Sequence, residues 1–505
     1  MYDVKIVNGT MISGAEGEQP WPGCVAVKDR RIAALGRDIS GPARQTLDAA
    51  GQAVCPGFID IHTHCGIGPN LNYLQAGVTT VVTGNCGMSV KADELAGTVA
   101  RVAGRSGPNI AHLIGHNTVR LEAMGNVARA PTSAELDDMT RQVATAMAAG
   151  AVGFSSGLTY MPGNYADAAE VGRLAKVAGE AGGFYATHMR DERDGVLDSI
   201  AETLNIAEAG GLPAHISHLK AAGFSVWGRS REVLDMLHAA RARGRDVTWD
   251  QYPYTASSSH LQIILPGWLQ EGTPDEIRAR CLEPVTRARA KEELIAQLRR
   301  MFDGDGARIM FATSAEPGLS GRTLADLARS SGRSDSVADL AETVLDFVVR
   351  HPEPHTNSCV FHYMSEEDVR RILQDPVTIV ASDGWGVDYG QGHPHPRHYG
   401  TCPRVLGHYA RDEKVLPLAE AVRRMTAMPA ARLGLADRGV LAEGAWADLV
   451  VFDPATIRDT ATFEHPHQYP VGLSWVVVNG EVVVDHGQPT GRPAGVFVAR
   501  ETKRA

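Results

Sequence analysis

The sequence predicts an α/β chain, a (β/α)8 TIM barrel carrying a small β-sandwich domain built from both termini. Two observations predict it. Through the middle of the chain, eight short apolar runs that close on polar residues alternate with Ala- and Leu-rich stretches of helical spacing. Eight strand–helix repeats are what a closed parallel barrel requires. The two ends read differently, as short strands separated by turns, and 505 residues accommodate one large domain and a smaller one.

Taken in order, "DVKIVNG", "CVAVKDRRIAALG" and "QTLDAAGQAVCPG" assign residues 1–56 to the first part of the sandwich. The barrel is expected over 57–434, its strands being "GFIDIHTH", "VTTVVTGNCG", "NIAHLIGHN", "AVGFSSG", "GFYATHMRDE", "PAHISHLK", "VTWDQYPYT" and "VTIVASDG". Stretches such as "AELDDMTRQVATAMAAG" and "AAEVGRLAKVAGEAG" are apolar at helical spacing and end in Gly, a helix stop signal. The interval at about 268–375 holds more helix and two short runs, "ARIMFATS" and "NSCVFHYM", and reads as an insertion between strands seven and eight. Residues 435–505 complete the sandwich, where "WVVVNGEVVVD" signals a hairpin because Asn-Gly favours the type I′ turn.

Composition excludes some partners. With 49 Lys+Arg against 59 Asp+Glu the chain carries −10, and its most basic stretch, "RARAKEELIAQLRR", reads as a helix face of mixed charge. Nucleic acid and membrane are not expected partners. No stretch has the length of a membrane span, and "MYDVKIVNGTMISG" lacks the basic start and apolar core of a signal peptide, so a cytoplasmic location is expected. Seven cysteines without disulfide-like spacing are then reduced, and one is available as a thiolate ligand. Nothing in the sequence sets the oligomeric state.

The chemistry lies in the residues that close the strands, since the C-terminal ends of barrel strands build the active site. Strand one offers His62 and His64, which lie at i and i+2 and so face one side. Strand two offers Cys86, strand five His188, strand six His218 and strand eight Asp383. Metal-type ligands at five of eight strand ends converge on one point. Cys86, His188 and His218 form a thiolate-plus-imidazole set that suits zinc and leaves a fourth position for water. Asp383 is the candidate general base, able to take a proton from water and return it to a leaving group.

These residues resemble a known family. "PGFIDIHTH", the histidines of strands five and six, the Asp of strand eight and "EGAWADLVVFDP" are similar to the amidohydrolase superfamily. With "VTTVVTGNCG", "ATHMRDE", "ISHLK", "YPYTASS", "ASDG" and "HPHPRHYGTCPRVLGHY", the pattern from Tyr2 to about Gly487 resembles the N-acyl-D-amino-acid deacylases, or D-aminoacylases. The resemblance implies hydrolysis of a small-molecule N-acyl-D-amino acid. It implies one tight Zn2+ on Cys86, His188 and His218, a second, weaker metal position at His62 and His64, and Asp383 as acid/base. It also implies that Lys220, Tyr254 and Arg397 contact the substrate carboxylate. Lys220 stands two residues beyond a proposed ligand, and Lys or Arg is the natural partner of a carboxylate.

The chain departs from the family in a short segment between His64 and Cys86 and a Gly-rich loop after Asp383, "GWGVDYGQGHPHPR". Two rival readings stand beside this one. A cyclic-amide hydrolase of the hydantoinase or dihydroorotase kind uses a carboxylated Lys on strand four, and "AVGFSSG" has no Lys; an amidohydrolase acting on a dipeptide-like substrate belongs to the same alternative. A non-catalytic scaffold of the same fold is expected to lose its ligands, which this chain keeps. For the substrate's side chain, "SHLQIILPGWL" beyond strand seven has no Lys or Arg. Its Leu261, Ile263, Ile264, Leu265 and Trp268 predict neutral or hydrophobic D-amino acids, unless a cation such as Arg322 reaches in from the insertion.

Overall fold

The computed structural model describes residues 1–353 and 356–500. The eight predicted runs form eight parallel strands. They are β1 (Phe58–Asp60), β2 (Val78–Thr83), β3 (Asn109–Gly115), β4 (Gly153–Gly157), β5 (Phe184–His188), β6 (Ala214–Ile216), β7 (Val247–Gln251) and β8 (Thr378–Val380). Their order in space is their order in sequence. Just beyond the regular strands, Thr63 pairs in parallel with Gly384, and the amide of Asp383 donates to the carbonyl of His62 at 2.9 Å. The barrel closes through the loops that carry the candidate ligands.

Side-chain alternation explains the core. Ile59, Val82, Leu113, Phe184, Ala186 and Ile379, from β1, β2, β3, β5 and β8, pack in one cluster with Val152 just ahead of β4, so they face inward. Tyr185, between two inward residues, packs instead with Phe154 and the surrounding helices. Both quoted helices form and both are capped. Ser133–Ala148 starts on a reciprocal capping box between Thr132 and Glu135, and the Asp167 side chain accepts from the Glu170 amide to start Ala168–Glu180.

Strands from both ends share one nine-stranded sheet. Tyr2–Met11 pairs antiparallel with Trp21–Lys28 and parallel with Ala43–Asp48 and Ala53–Pro56. Ala53–Pro56 in turn pairs antiparallel with Leu449–Phe452. Leu473–Val478 and Glu481–Asp485 form the predicted hairpin, with φ of 47° at Asn479 and 82° at Gly480, both positive as a type I′ turn demands. The chain then returns to the barrel, where the Val498 amide donates to the carbonyl of Ile110 on β3 at 2.8 Å.

Between β7 and β8 the chain adds a three-stranded antiparallel sheet of Ala256–His260, Ser358–His362 and Ile309–Thr313. Its first strand lies ahead of residue 268, where the sequence placed the start of the insertion, and residues 354 and 355 fall outside the described residues. The basic stretch is part of the helix Pro284–Phe302. Its Leu294, Leu298 and Phe302 are buried, while Arg287 reaches Asp346 at 2.6 Å on the helix Val337–Arg350. Among the described residues no helix is long and apolar enough to cross a membrane, and all seven cysteines are unpaired.

Candidate functional site

The side chains that close β1, β2, β5, β6 and β8 meet at one end of the barrel. Cys86 Sγ lies 3.3 Å from His62 Nε2, 3.5 Å from His218 Nε2 and 3.8 Å from His188 Nδ1. The His62 and His64 rings sit 5.4 Å apart, on one side of the chain as their spacing required. Asp383 Oδ1 is 3.0 Å from His64 Nε2 and 3.5 Å from His62 Nε2. Three of these residues have left-handed backbones, with φ of 53° at Cys86, 37° at His218 and 50° at Asp383. For non-glycine residues that conformation costs about 1–2 kcal/mol each. It reverses the alternation at a strand end: Ala214 and Ile216 face the helices, yet His218, of the same parity, turns into the mouth. Asp250 Oδ1 holds that turn by accepting the His218 amide at 2.8 Å.

Two carboxylates that the sequence reading missed support the histidines from behind. Asp250 Oδ2 faces His62 Nδ1 at 3.4 Å and His215 Nε2 at 2.8 Å. A proton on His62 Nδ1 shared with Asp250 leaves Nε2 free as a ligand. Glu192 Oε1 faces His218 Nδ1 at 2.9 Å and Lys220 Nζ at 2.6 Å, while Oε2 lies 3.5 Å from His188 Nε2. Burial would raise the Glu192 carboxyl, but Lys220, His188 and His218 outweigh it and hold it far below its usual range. Asp250 is likewise lowered against burial by His62 and His215.

The same balance acts on the groups that face the mouth. Burial pushes the Cys86 thiol up, yet His62, His188 and His218 pull it well below a free thiol, the direction that favours a thiolate. Burial also pushes Asp383 up, and Arg397 above all, with His218 and the β1 histidines, brings it well below the ordinary carboxylate range. Arg397 Nη1 donates to Asp383 Oδ2 at 2.8 Å. The Trp385 ring stacks on His64 at 4.8 Å.

The structure brings His62, His64, Cys86, His188, His218, Asp383, Lys220 and Arg397 into this group, but not Tyr254. The Tyr254 ring packs against His395, with the Arg404 guanidinium over its face. The tyrosine in the group is Tyr252, whose ring lies 4.7 Å from the Arg397 guanidinium carbon and 5.7 Å from Lys220 Nζ. Tyr160, three residues past β4, places its ring 4.7 Å from His188, and its hydroxyl has one long contact, 3.4 Å to Ser259 Oγ.

Among the described residues, three overlapping sets of donors could hold a cation, each with its ligand atoms within 4.8 Å of one another: His62, Cys86 and His218; His62, His64 and Asp383; His188, Glu192 and His218. The donors fit zinc. With Zn–S of about 2.3 Å and Zn–N of about 2.0–2.1 Å, a tetrahedral ion sets sulfur and nitrogen about 3.6 Å apart. For Cys86 with His218 and His188 the distances, 3.5 and 3.8 Å, bracket that value, and His62 stands closer still to the sulfur at 3.3 Å.

The whole arrangement has known counterparts. Residues 45–484 match the amidohydrolase family. A D-aminoacylase from Alcaligenes xylosoxydans xylosoxydans is 38% identical, over 99% of this chain and 98% of that protein. Two solved structures superpose with a TM-score of 0.81 at 35% identity, covering 99% of this chain and 100% of each of theirs. One is a D-aminoacylase described for its binuclear metal centre, and the other is an N-acyl-D-glutamate deacylase from Bordetella bronchiseptica with zinc and a phosphonate mimic of the tetrahedral intermediate. By sequence and fold, the chain belongs to the amidohydrolase family, among the N-acyl-D-amino-acid deacylases.

Proposed function

We propose that this protein hydrolyses N-acyl-D-amino acids to a carboxylate and a free D-amino acid, using zinc held by Cys86, His188 and His218. A second, weaker position lies at His62 and His64. The observation that carries the reading is the junction of a thiolate–imidazole cluster with an ionised Asp383 and two cations, Lys220 and Arg397, at one barrel mouth. Polarisation of a carbonyl and acidification of water are what zinc supplies when bound in such a donor set. Asp383 Oδ1 faces the cluster, while Arg397 engages Oδ2 and fixes the carboxylate's direction. Asp383 takes a proton from the attacking water and delivers it to the amide nitrogen as the C–N bond breaks. Lys220 and Arg397, both close to the Tyr252 ring, receive the substrate's α-carboxylate.

The strand-four segment Gly153–Gly157 reads GFSSG and offers no lysine to bridge two metals, which disfavours the cyclic-amide chemistry. The test of the reading is amine release from paired N-acetyl-D- and N-acetyl-L-amino acids by the zinc-loaded protein. Turnover confined to the L series overturns it.

The role of Lys220 has its own measurement. Lys220→Met is expected to lower kcat/KM for an N-acyl amino acid by about 2 kcal/mol or more, the cost of truncating one partner of a buried charge pair. The corresponding amide substrate, which lacks the carboxylate, should lose much less. Equal losses on both would assign Lys220 to Glu192 and His218 alone.

For the side chain we infer a preference for neutral or hydrophobic D-amino acids. Ile263 is the member of the apolar run that lines the cavity beside His188, with Met301 and Phe361 and also with Glu192 and an Arg193 paired to Asp191. Leu261, Ile264 and Leu265 are buried in the core, and Trp268 donates to Glu293. Arg322 is exposed and is not among the residues lining that cavity. Apolar walls favour burial of a hydrocarbon by roughly 25 cal/mol per Å2 and disfavour an unpaired carboxylate. N-acetyl-D-Leu should therefore exceed N-acetyl-D-Glu in kcat/KM at equal zinc loading, and the reverse order refutes the preference.

A further inference from the structure

The cavity beside His188 holds one cation. Arg193, five residues past His188, is the only Arg or Lys among the residues that line it, and its Nη1 contacts Met301 Sδ at 3.4 Å on the apolar wall. That cation is already paired, because Arg193 Nε donates to Asp191 Oδ1 at 3.0 Å. The same carboxylate folds the loop, accepting the Arg193 amide at 2.8 Å and the Gly195 amide at 3.2 Å. One short turn therefore carries a charge into the cavity and its neutraliser together.

Lys220, the proposed partner of the α-carboxylate, is 2.6 Å from Glu192, and Glu192 lines the cavity together with Arg193. The cavity therefore adjoins the place assigned to the carboxylate, and the side chain on Cα is assigned to it.

We propose that Asp191 sets the charge preference of the side-chain pocket by masking Arg193. A guanidinium engaged by one carboxylate offers a second carboxylate little net attraction, and discrimination of this kind is a difference between two affinities. The inference rests on the deacylase reading and deepens it. It makes the chain's selectivity against acidic side chains a property of an ion pair rather than of the apolar wall alone.

The experiment measures kcat/KM for N-acetyl-D-Glu and N-acetyl-D-Met on the zinc-loaded parent, Asp191→Asn, Arg193→Met and the double variant. The readout is the D-Glu to D-Met ratio. Asn removes the charge but keeps an oxygen for the two loop amides. The ratio is expected to rise by about tenfold or more in Asp191→Asn, on the scale of one charge-assisted hydrogen bond. It should fall below the parent in Arg193→Met, where Asp191 is left unpaired, and show no rise in the double variant. An unchanged ratio in Asp191→Asn, or a rise that persists without Arg193, overturns the proposal. Should Asp191→Asn fail to fold, Arg193→Met decides alone, and a ratio equal to the parent's overturns it. Turnover of neither substrate by the parent removes the deacylase reading itself, and this inference with it.

Discussion

Replacement of His188 by Asn is expected to strip the protein of zinc and of activity together. His188 Nδ1 stands 3.8 Å from Cys86 Sγ, and its other nitrogen is 3.5 Å from Glu192. Asn is shorter and offers neither that reach nor an imidazole lone pair. A catalytic zinc held by three protein ligands does not survive the loss of one. The sulfur is affected as well, since His188 is among the groups that pull the Cys86 thiol down against burial. Elemental analysis after gel filtration measures the metal directly, and amine release measures the activity. A variant that keeps its full zinc content would show that His188 is not a ligand.

The second large effect separates metal from proton. Asp383→Asn should keep its zinc while losing roughly 10²–10⁴-fold in activity, the range for a general acid/base. The amide still accepts a hydrogen bond from Arg397, so that guanidinium, buried at 1% exposure, retains a partner. What Asn cannot do is receive the water's proton. Asp383 is held well below the ordinary carboxylate range, so it is ionised throughout pH 5–8 in the parent. The loss should therefore be nearly constant across that range. Turnover near the parental rate would reduce Asp383 to a cap on its turn, whose amide donates to the His62 carbonyl.

The barrel was legible in the sequence because its strands are short apolar runs that stop at polar residues. His188 could be read directly, being of the same parity as inward-facing Phe184 and Ala186. His218 was legible as a residue type at a strand end but not as geometry, since its parity points outward until a left-handed turn swings it in. Asp250 and Glu192 were not legible as supports. Asp250 and its partner His62 are 188 residues apart and Glu192 and Lys220 are 28 apart, and the one local link, Glu192 four residues after His188, does not by itself mark a support. An aspartate inside the otherwise buried strand Val247–Gln251 was a signal that was passed over. The carboxylate-contacting tyrosine was expected at Tyr254. After Gln251 the chain leaves the barrel, and the Tyr254 amide donates to the carbonyl of Tyr252, so the strand's alternation no longer applies. Tyr252 stays with Lys220 and Arg397 while Tyr254 goes to Arg404.

The sheet shared by the two ends has a consequence for biosynthesis. Ala53–Pro56 finds one neighbour in Leu449–Phe452, its partners running from Ala53 with Phe452 to Pro56 with Leu449. At a synthesis rate of about 5–20 residues per second, the later strand follows the earlier by roughly 20–80 seconds. For that interval the nascent chain presents an unpaired strand edge, Ala-Val-Cys-Pro, whose four residues are all buried at the end. The following barrel strand begins only two residues on, at Phe58. The pairing of Ala53–Pro56 with Leu449–Phe452 thus has to wait until the whole barrel between them has been synthesised.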